Sequence, residues 1–95
     1  MRFPVWIDAA RHSGLKRAQL RLKFILNMAG MMKHGKTSIH EIARHIECDH
    51  SSVFNAIRRG YFTTPMAEKI EQHFGRDLVR SEWLVEPLSI EVVEA

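Results

Sequence analysis

The stretch Ser38–Gly60, SIHEIARHIECDHSSVFNAIRRG, contains two short helical patterns separated by only a few residues. Ser38 and Glu41 form a capping box, which predicts that the first helix begins at Ile39. The second pattern predicts a helix over 50–59. Because the connection is too short for two full helices to pack antiparallel, we expect the pair to cross steeply, as in a helix-turn-helix.

Each of these helices has an apolar side and a polar side. Asp49 is the expected N-cap of the second helix, and Gly60 is expected to end it. The residues predicted to be buried are Ile39, Ile42, Ala43 and Ile46 on the first helix and Val53, Ala56 and Ile57 on the second. The apolar side therefore anchors the second helix and leaves its polar side exposed.

The exposed side of the second helix carries hydrogen-bonding groups near its start and cations near its end. Asn and Ser side chains address base edges in a DNA major groove, and Arg reaches guanine or a phosphate. The predicted DNA contacts are His50, Ser51, Phe54, Asn55, Arg58 and Arg59, together with Lys36 and Ser38 ahead of the first helix. Asn55 is the best single candidate, because Asn is a poor helix former in mid-helix, whereas Ser51 has capping as an alternative role.

Residues 38–84 resemble the phage Cro and repressor family, including the YdaS-like prophage regulators. The features that carry the resemblance are Ile42, Ala43 and Ile46, the Ser51-Ser52-Val53 step, the NAIRRG ending and the segment TPMAEKIEQHFGRDLVRSEWL. The resemblance covers roughly half of the chain, and its motif is of moderate specificity. It implies a lambda-repressor/Cro-like fold and a transcriptional regulator of a phage or prophage switch. The base-reading candidates that it implies on double-stranded DNA are His50, Ser51, Phe54 and Asn55.

Two residues depart from the family pattern. Glu47 stands in the turn where the family usually has Gly, and a left-handed Glu costs about 1 kcal/mol. We therefore expect the turn to be rebuilt, for example as a slightly longer loop capped by Asp49. Phe54, at a base-facing position, either contacts a thymine methyl group or packs under the first helix. Residues 1–14 have no counterpart in the minimal family pattern.

A longer helical pattern precedes the motif. Apolar residues at three- and four-residue steps predict a helix that starts near Leu15 and ends just before Gly35. Its predicted buried stripe is Leu15, Ala18, Leu22, Ile25, Ala29 and Met32. The methionine cluster Met28, Met31 and Met32 has helical spacing, so it is predicted to lie in the core.

Another helical pattern follows the motif. It has Thr64 as the expected N-cap, Pro65 at its first position and Gly75 as its terminator. Its predicted apolar face is Met66, Ala67, Ile70 and Phe74. A short helical turn around Ser81–Leu84 is expected to bring Trp83 onto the core.

The whole chain, 1–95, is predicted to form a single all-α domain of four to five helices. It divides into an N-terminal arm (1–14), a helical core (15–84) and a C-terminal tail (85–95). The arm is either a short helix beginning at Pro4 or an extended segment, and the tail is either a strand or frayed. The apolar content of these two ends predicts that one of them forms a homodimer interface or binds a protein partner.

Charge is unevenly distributed along the chain. Residues 1–60 contain eleven Lys and Arg against four Asp and Glu, whereas residues 61–95 contain three against seven. A basic surface favours a polyanion such as DNA, because binding releases counterions. The acidic C-terminal third instead favours a protein partner. The main alternative function is therefore a helix-turn-helix protein-interaction module, such as an antitoxin, anti-repressor or adaptor.

Several other classes of protein are not expected. No apolar run approaches the ~20 residues needed to span a membrane, and the first residues lack the features of a secretory signal. With Cys48 as its single cysteine, the chain is predicted to be cytoplasmic. No phosphate loop, nucleophile elbow or supported carboxylate pair indicates an enzyme, and no cofactor is predicted. No metal site is predicted either, because metal-ligand spacing is absent among His34, His40, His45, His50, His73 and Cys48.

Overall fold

The chain folds into helices that pack around one apolar core. The structure is a computed structural model that describes residues 3–4, 7, 12–35 and 39–90. Within those ranges there are five α-helices, 3₁₀ structure at Ile7 and at Pro87–Ser89, and no strand, so the predicted all-α class is confirmed. The elements are α1 (Gly14–His34), α2 (Ile39–His45), α3 (His50–Arg59), α4 (Thr64–Phe74), α5 (Ser81–Val85) and the 3₁₀ turn Pro87–Ser89.

Some of the sequence predictions fall on residues outside the described ranges. These include the DNA contacts of Lys36 and Ser38, most of the N-terminal arm and residues 91–95 of the tail. In the described part of the arm, the Ile7 backbone N–H donates to the Pro4 carbonyl over 3.1 Å. Ile7 is fully buried, so the arm has at least one residue in the interior.

Helix α1 is the central element of the fold and contacts α2, α3 and the 3₁₀ turn. Ser13 caps its first turn by accepting a hydrogen bond from the Lys16 backbone N–H over 3.1 Å. Gly35 ends it with a φ of 81°, as predicted. The residues that α1 buries are Ala18, Arg21, Leu22, Ile25, Leu26, Ala29 and Gly30. The middle of the predicted stripe is therefore confirmed.

The two ends of that stripe and the methionine cluster were predicted wrongly. Leu15, Met28, Met31 and Met32 are all exposed, and Met32 has 67% of its surface accessible. Helical spacing places Met31 on the side of α1 away from the buried residues. Met32 lies on the buried side, but beyond Gly30, the last buried residue of the helix. The described elements therefore leave Met28, Met31 and Met32 of α1 uncovered.

The C-terminal helices complete the core. Helix α4 has Thr63 as its N-cap, so the predicted cap at Thr64 was one residue late. Its buried residues Ala67, Ile70 and Phe74 were predicted, whereas Met66 is only half-buried. Helix α5 packs against α4 and contributes a fully buried leucine, Leu84, with Trp83 half-buried against the core.

Arg21 is a buried cation that the sequence pattern did not reveal. Its side chain is 7% exposed, and Nη1 donates to the Pro87 carbonyl over 2.8 Å and to the Ile90 carbonyl over 3.5 Å. The guanidinium carbon lies 4.9 Å from the centre of the Phe3 ring. Arg21 therefore joins α1 to both the N-terminal arm and the C-terminal turn.

Replacing this cation tests its structural role. Arg21→Met keeps the aliphatic stem but leaves the two carbonyls without their donor. We expect the free energy of unfolding to fall by about 1.5–3 kcal/mol, the range for hydrogen bonds that involve a charged group. Urea unfolding measures this change. The control Lys23→Met, at an exposed position on the same helix, should change stability by no more than about 0.5 kcal/mol. A fully stable Arg21→Met variant would contradict this role.

Candidate nucleic-acid interface

A four-residue turn, Ile46–Asp49, connects α2 to α3. Glu47 in this turn has a φ of 56° and is the one non-glycine residue with positive φ in the described ranges. The next residue, Cys48, donates its backbone N–H to the Ala43 carbonyl over 2.9 Å. Glu47 thus adopts the left-handed conformation itself, at a cost of about 1 kcal/mol. The turn is therefore slightly longer and capped by Asp49, as expected, but it does not avoid the left-handed conformation at Glu47.

Local capping defines both ends of α3, as the sequence predicted. The Asp49 carboxylate accepts a hydrogen bond from the Ser51 backbone N–H over 3.0 Å. Gly60, with a φ of 95°, ends the helix and donates to the carbonyls of Ala56 and Ile57. The Asp49 side chain, and not that of Ser51, therefore supplies the oxygen that caps α3.

One side of α3 is buried and the opposite side is exposed. Val53, Ala56 and Ile57 form the buried side. At about 100° per residue, the residues that lie opposite to them are Ser51, Asn55 and Arg58. We call these three residues the polar face of α3. All six α3 residues predicted to contact DNA are exposed: His50, Ser51, Phe54, Asn55, Arg58 and Arg59.

An aromatic group borders the polar face on the side of α2. The His40 ring lies 4.4 Å from the His50 ring and 5.3 Å from the Phe54 ring, between centres. Phe54 meets His40 edge to face and keeps 38% of its surface exposed. Phe54 therefore contacts α2 through this ring but is not packed under that helix, which was one of the two alternatives predicted. The other alternative, contact with a thymine methyl group, stays a prediction.

The two arginines at the end of α3 have different surroundings. The Arg59 guanidinium lies 4.5 Å from the centre of the Tyr61 ring and donates to the Tyr61 carbonyl over 3.1 Å. It is therefore held beyond the end of the helix rather than on the polar face. The Arg58 carbonyl accepts a hydrogen bond from Gln19 Nε2 over 2.8 Å, which joins the end of α3 to α1.

Two further cations lie beside α3 that sequence reasoning did not assign to the site. Lys23 of α1 lines one groove together with Phe54 and Arg58. Arg44 of α2 lines another groove with His50. Both residues are exposed. The sequence did not indicate a role for these two cations in the site, because only the packing of α1 and α2 against α3 brings them to its edges.

A second group of side chains lies at the other end of α2. His34, His45 and His73, from α1, α2 and α4, come close enough for their ring nitrogens to lie within 4.8 Å of one another. We call them the histidine cluster. Burial lowers the pKa of His73 below its ordinary value of 6.5, and the nearby charges of Lys33, His34 and His45 lower it further. The cluster therefore favours a neutral His73 ring.

The comparisons with known proteins identify no relative. No family model, curated protein or solved structure matches this chain at a significant level. Among the described residues, no helix has the length and apolar character needed to cross a membrane. The geometry around α3 is therefore the basis for proposing a function.

Acid should destabilise the metal-free protein through His73. Its lowered pKa means that the unfolded chain binds the proton more tightly than the folded chain. The contribution of a neutral His73 to the stability of the fold is complete above pH 6.5, the pKa of this residue in the unfolded chain. It is lost as the pH falls through the lower pKa of the folded chain. With a chelator present, we expect the Tm to fall between about pH 7.5 and about pH 5.5, less steeply in His73→Gln than in the parent.

Thermal unfolding followed by circular dichroism measures that slope. His40→Gln, which removes an exposed histidine outside the cluster, should keep the slope of the parent. Equal slopes in His73→Gln and the parent would contradict the assignment of the pH dependence to His73.

Proposed function

We propose that this chain is a sequence-specific DNA-binding transcriptional regulator that places α3 in the major groove. The observation that carries the proposal is the division of α3 into a buried apolar side and an exposed polar face of Ser51, Asn55 and Arg58. Amide and hydroxyl groups at this position hydrogen-bond to base edges. We further propose that α2, the turn and α3 form a helix-turn-helix of the Cro and repressor type, acting in a phage or prophage switch.

The cations around α3 support a docking orientation. In helix-turn-helix proteins the first residues of the recognition helix contact bases, and the surrounding cations contact phosphates. Ser51 lies in the first turn of α3 and Asn55 about one turn further on, near the middle of the helix. Arg58 lies at the C-terminal end of the polar face, and Lys23 and Arg44 line grooves beside α3, so we expect these three cations to contact phosphates. The exposed edge of Phe54 is suited to a thymine methyl group.

The chain is proposed to bind as a homodimer. A single module of this kind covers only half of an operator, and a two-fold dimer places two recognition helices about 34 Å apart on a near-palindromic site. The predicted dimer contacts lie in the N-terminal arm or the C-terminal tail. Light scattering on variants that lack either end tests this point, and a monomer mass for the parent chain would contradict it.

A second candidate function is a protein-interaction module, such as an antitoxin, anti-repressor or adaptor. The observation that favours it is the exposed methionine cluster on α1, Met28, Met31 and Met32. Methionine side chains adapt to varied partner surfaces. The two candidates use different surfaces, so variants on α3 and variants on α1 distinguish them.

Asn55→Ala tests base reading by α3. We expect it to weaken binding to an operator selected from random duplexes by about 1–3 kcal/mol, with the loss concentrated at particular base positions. Fluorescence anisotropy with base-substituted duplexes measures this effect. The matched control is Asn27→Ala, an exposed asparagine on α1, which should bind as the parent does. Undiminished operator affinity in Asn55→Ala would show that α3 does not read bases.

Salt dependence tests the phosphate contacts. Arg58→Ala and Lys23→Ala should weaken binding to all DNA sequences alike and lower the slope of log K against log salt by about 1 each. Lys69→Ala, an exposed cation on α4, should leave the slope unchanged. If the parent shows no DNA binding at low salt, the regulator proposal fails and the interaction module is favoured.

A further inference from the structure

The histidine cluster lies where the last turns of three helices meet. His34 is the last residue of α1, His45 is the last residue of α2, and His73 is the penultimate residue of α4. Nε2 of His34 lies 3.0 Å from Nε2 of His73. The ring of His45 is stacked against both others, with centres 4.5 Å from His34 and 5.3 Å from His73. Three different helices thus supply one imidazole each.

The spacing of these nitrogens matches that of metal ligands. Two imidazole nitrogens bound to one tetrahedral zinc ion at 2.0–2.1 Å lie about 3.3 Å apart. The 3.0 Å separation of the Nε2 atoms of His34 and His73 is close to that value. His45 is exposed, and binding the same ion requires its ring to turn out of its stack with His34. The neutral ring favoured at His73 is also the form that binds a metal.

We propose that His34, His45 and His73 bind one divalent transition-metal ion of the first row, such as Zn²⁺, through their ring nitrogens. Three imidazoles form a nitrogen ligand set that suits zinc, copper and nickel rather than magnesium or calcium. Three protein ligands leave a fourth position of a tetrahedral ion open to water. No metal site was predicted from the sequence because these ligands come from separate helices and have no local spacing typical of a metal site.

The charges around the cluster set limits on its affinity. The Lys33 side chain donates to the His73 carbonyl, so a cation lies beside the proposed site. Glu47, Lys69 and Gln72 line the groove next to His45 and His73. The carboxylate of Glu47 offsets part of the repulsion from the two lysines. We therefore expect a single site that the three imidazoles hold and that any one substitution weakens strongly.

Metal binding would link three helices and so stabilise the fold. A ligand that binds only the folded chain raises its stability in proportion to the logarithm of the ligand concentration over Kd. For a domain of this size, Zn²⁺ at about 100 times Kd should raise the Tm by about 10 °C or more. The three histidines are different residues from the proposed DNA contacts, although one of those contacts, Arg44, is next to His45 in the sequence.

Calorimetry with zinc chloride tests the site directly. The protein should carry no oligohistidine tag and be stripped of metal with a chelator beforehand. We expect one Zn²⁺ per chain and the rise in Tm given above. His45→Gln should lose at least about tenfold in affinity, and because His45 is exposed this variant should keep its fold. Circular dichroism checks that the fold is retained.

His40→Gln, on the same helix but outside the cluster, is the matched control and should bind Zn²⁺ as the parent does. His73→Gln provides a second variant with the same expected loss of affinity as His45→Gln. The proposal is overturned if the parent binds no stoichiometric Zn²⁺. It is also overturned if the His45→Gln and His40→Gln variants bind Zn²⁺ equally well, because any surface histidines would then suffice.

Discussion

Burial of the apolar side of α3 determines both the geometry of the turn before it and the surface that this helix presents to solvent. Val53 and Ala56 are fully buried and Ile57 is 3% exposed, in a core to which α1 and α2 also contribute. Burying an aliphatic side chain of the size of Val or Ile is worth about 1.5–3 kcal/mol. This stabilisation exceeds the cost of about 1 kcal/mol for the left-handed conformation of Glu47, so the turn that positions α3 is maintained.

The same burial determines what α3 presents to solvent. Because a helix rotates by about 100° per residue, holding Val53, Ala56 and Ile57 in the core directs Ser51, Asn55 and Arg58 outward. Contacts with α1 and α2 then add cations at the edges of this face. The result is a polar surface bordered by cations, which is the arrangement that our DNA-binding proposal uses.

Local signals were sufficient to predict the elements around the turn. The start of α2 at Ile39, both ends of α3 and the buried side of α3 follow from caps, glycines and periodicity over a few residues. The exposure of Met28, Met31 and Met32 was not predictable in this way, because helical spacing does not tell which part of a helix its neighbours cover. Arg21, Lys23 and the histidine cluster were missed for a related reason, since their roles arise from contacts between elements distant in sequence.

The proposal that α3 contacts DNA is tested most directly by mapping the surface of the protein that binds a DNA duplex. Backbone amide shifts in NMR spectra of the chain can be followed while a selected operator duplex is added. If α3 binds DNA as proposed, we expect large shifts at Ser51, Asn55 and Arg58, smaller shifts at Lys23 and Arg44, and little change along the exposed methionines of α1. Shifts confined to Met28, Met31 and Met32, or no shifts at all, would contradict this proposal.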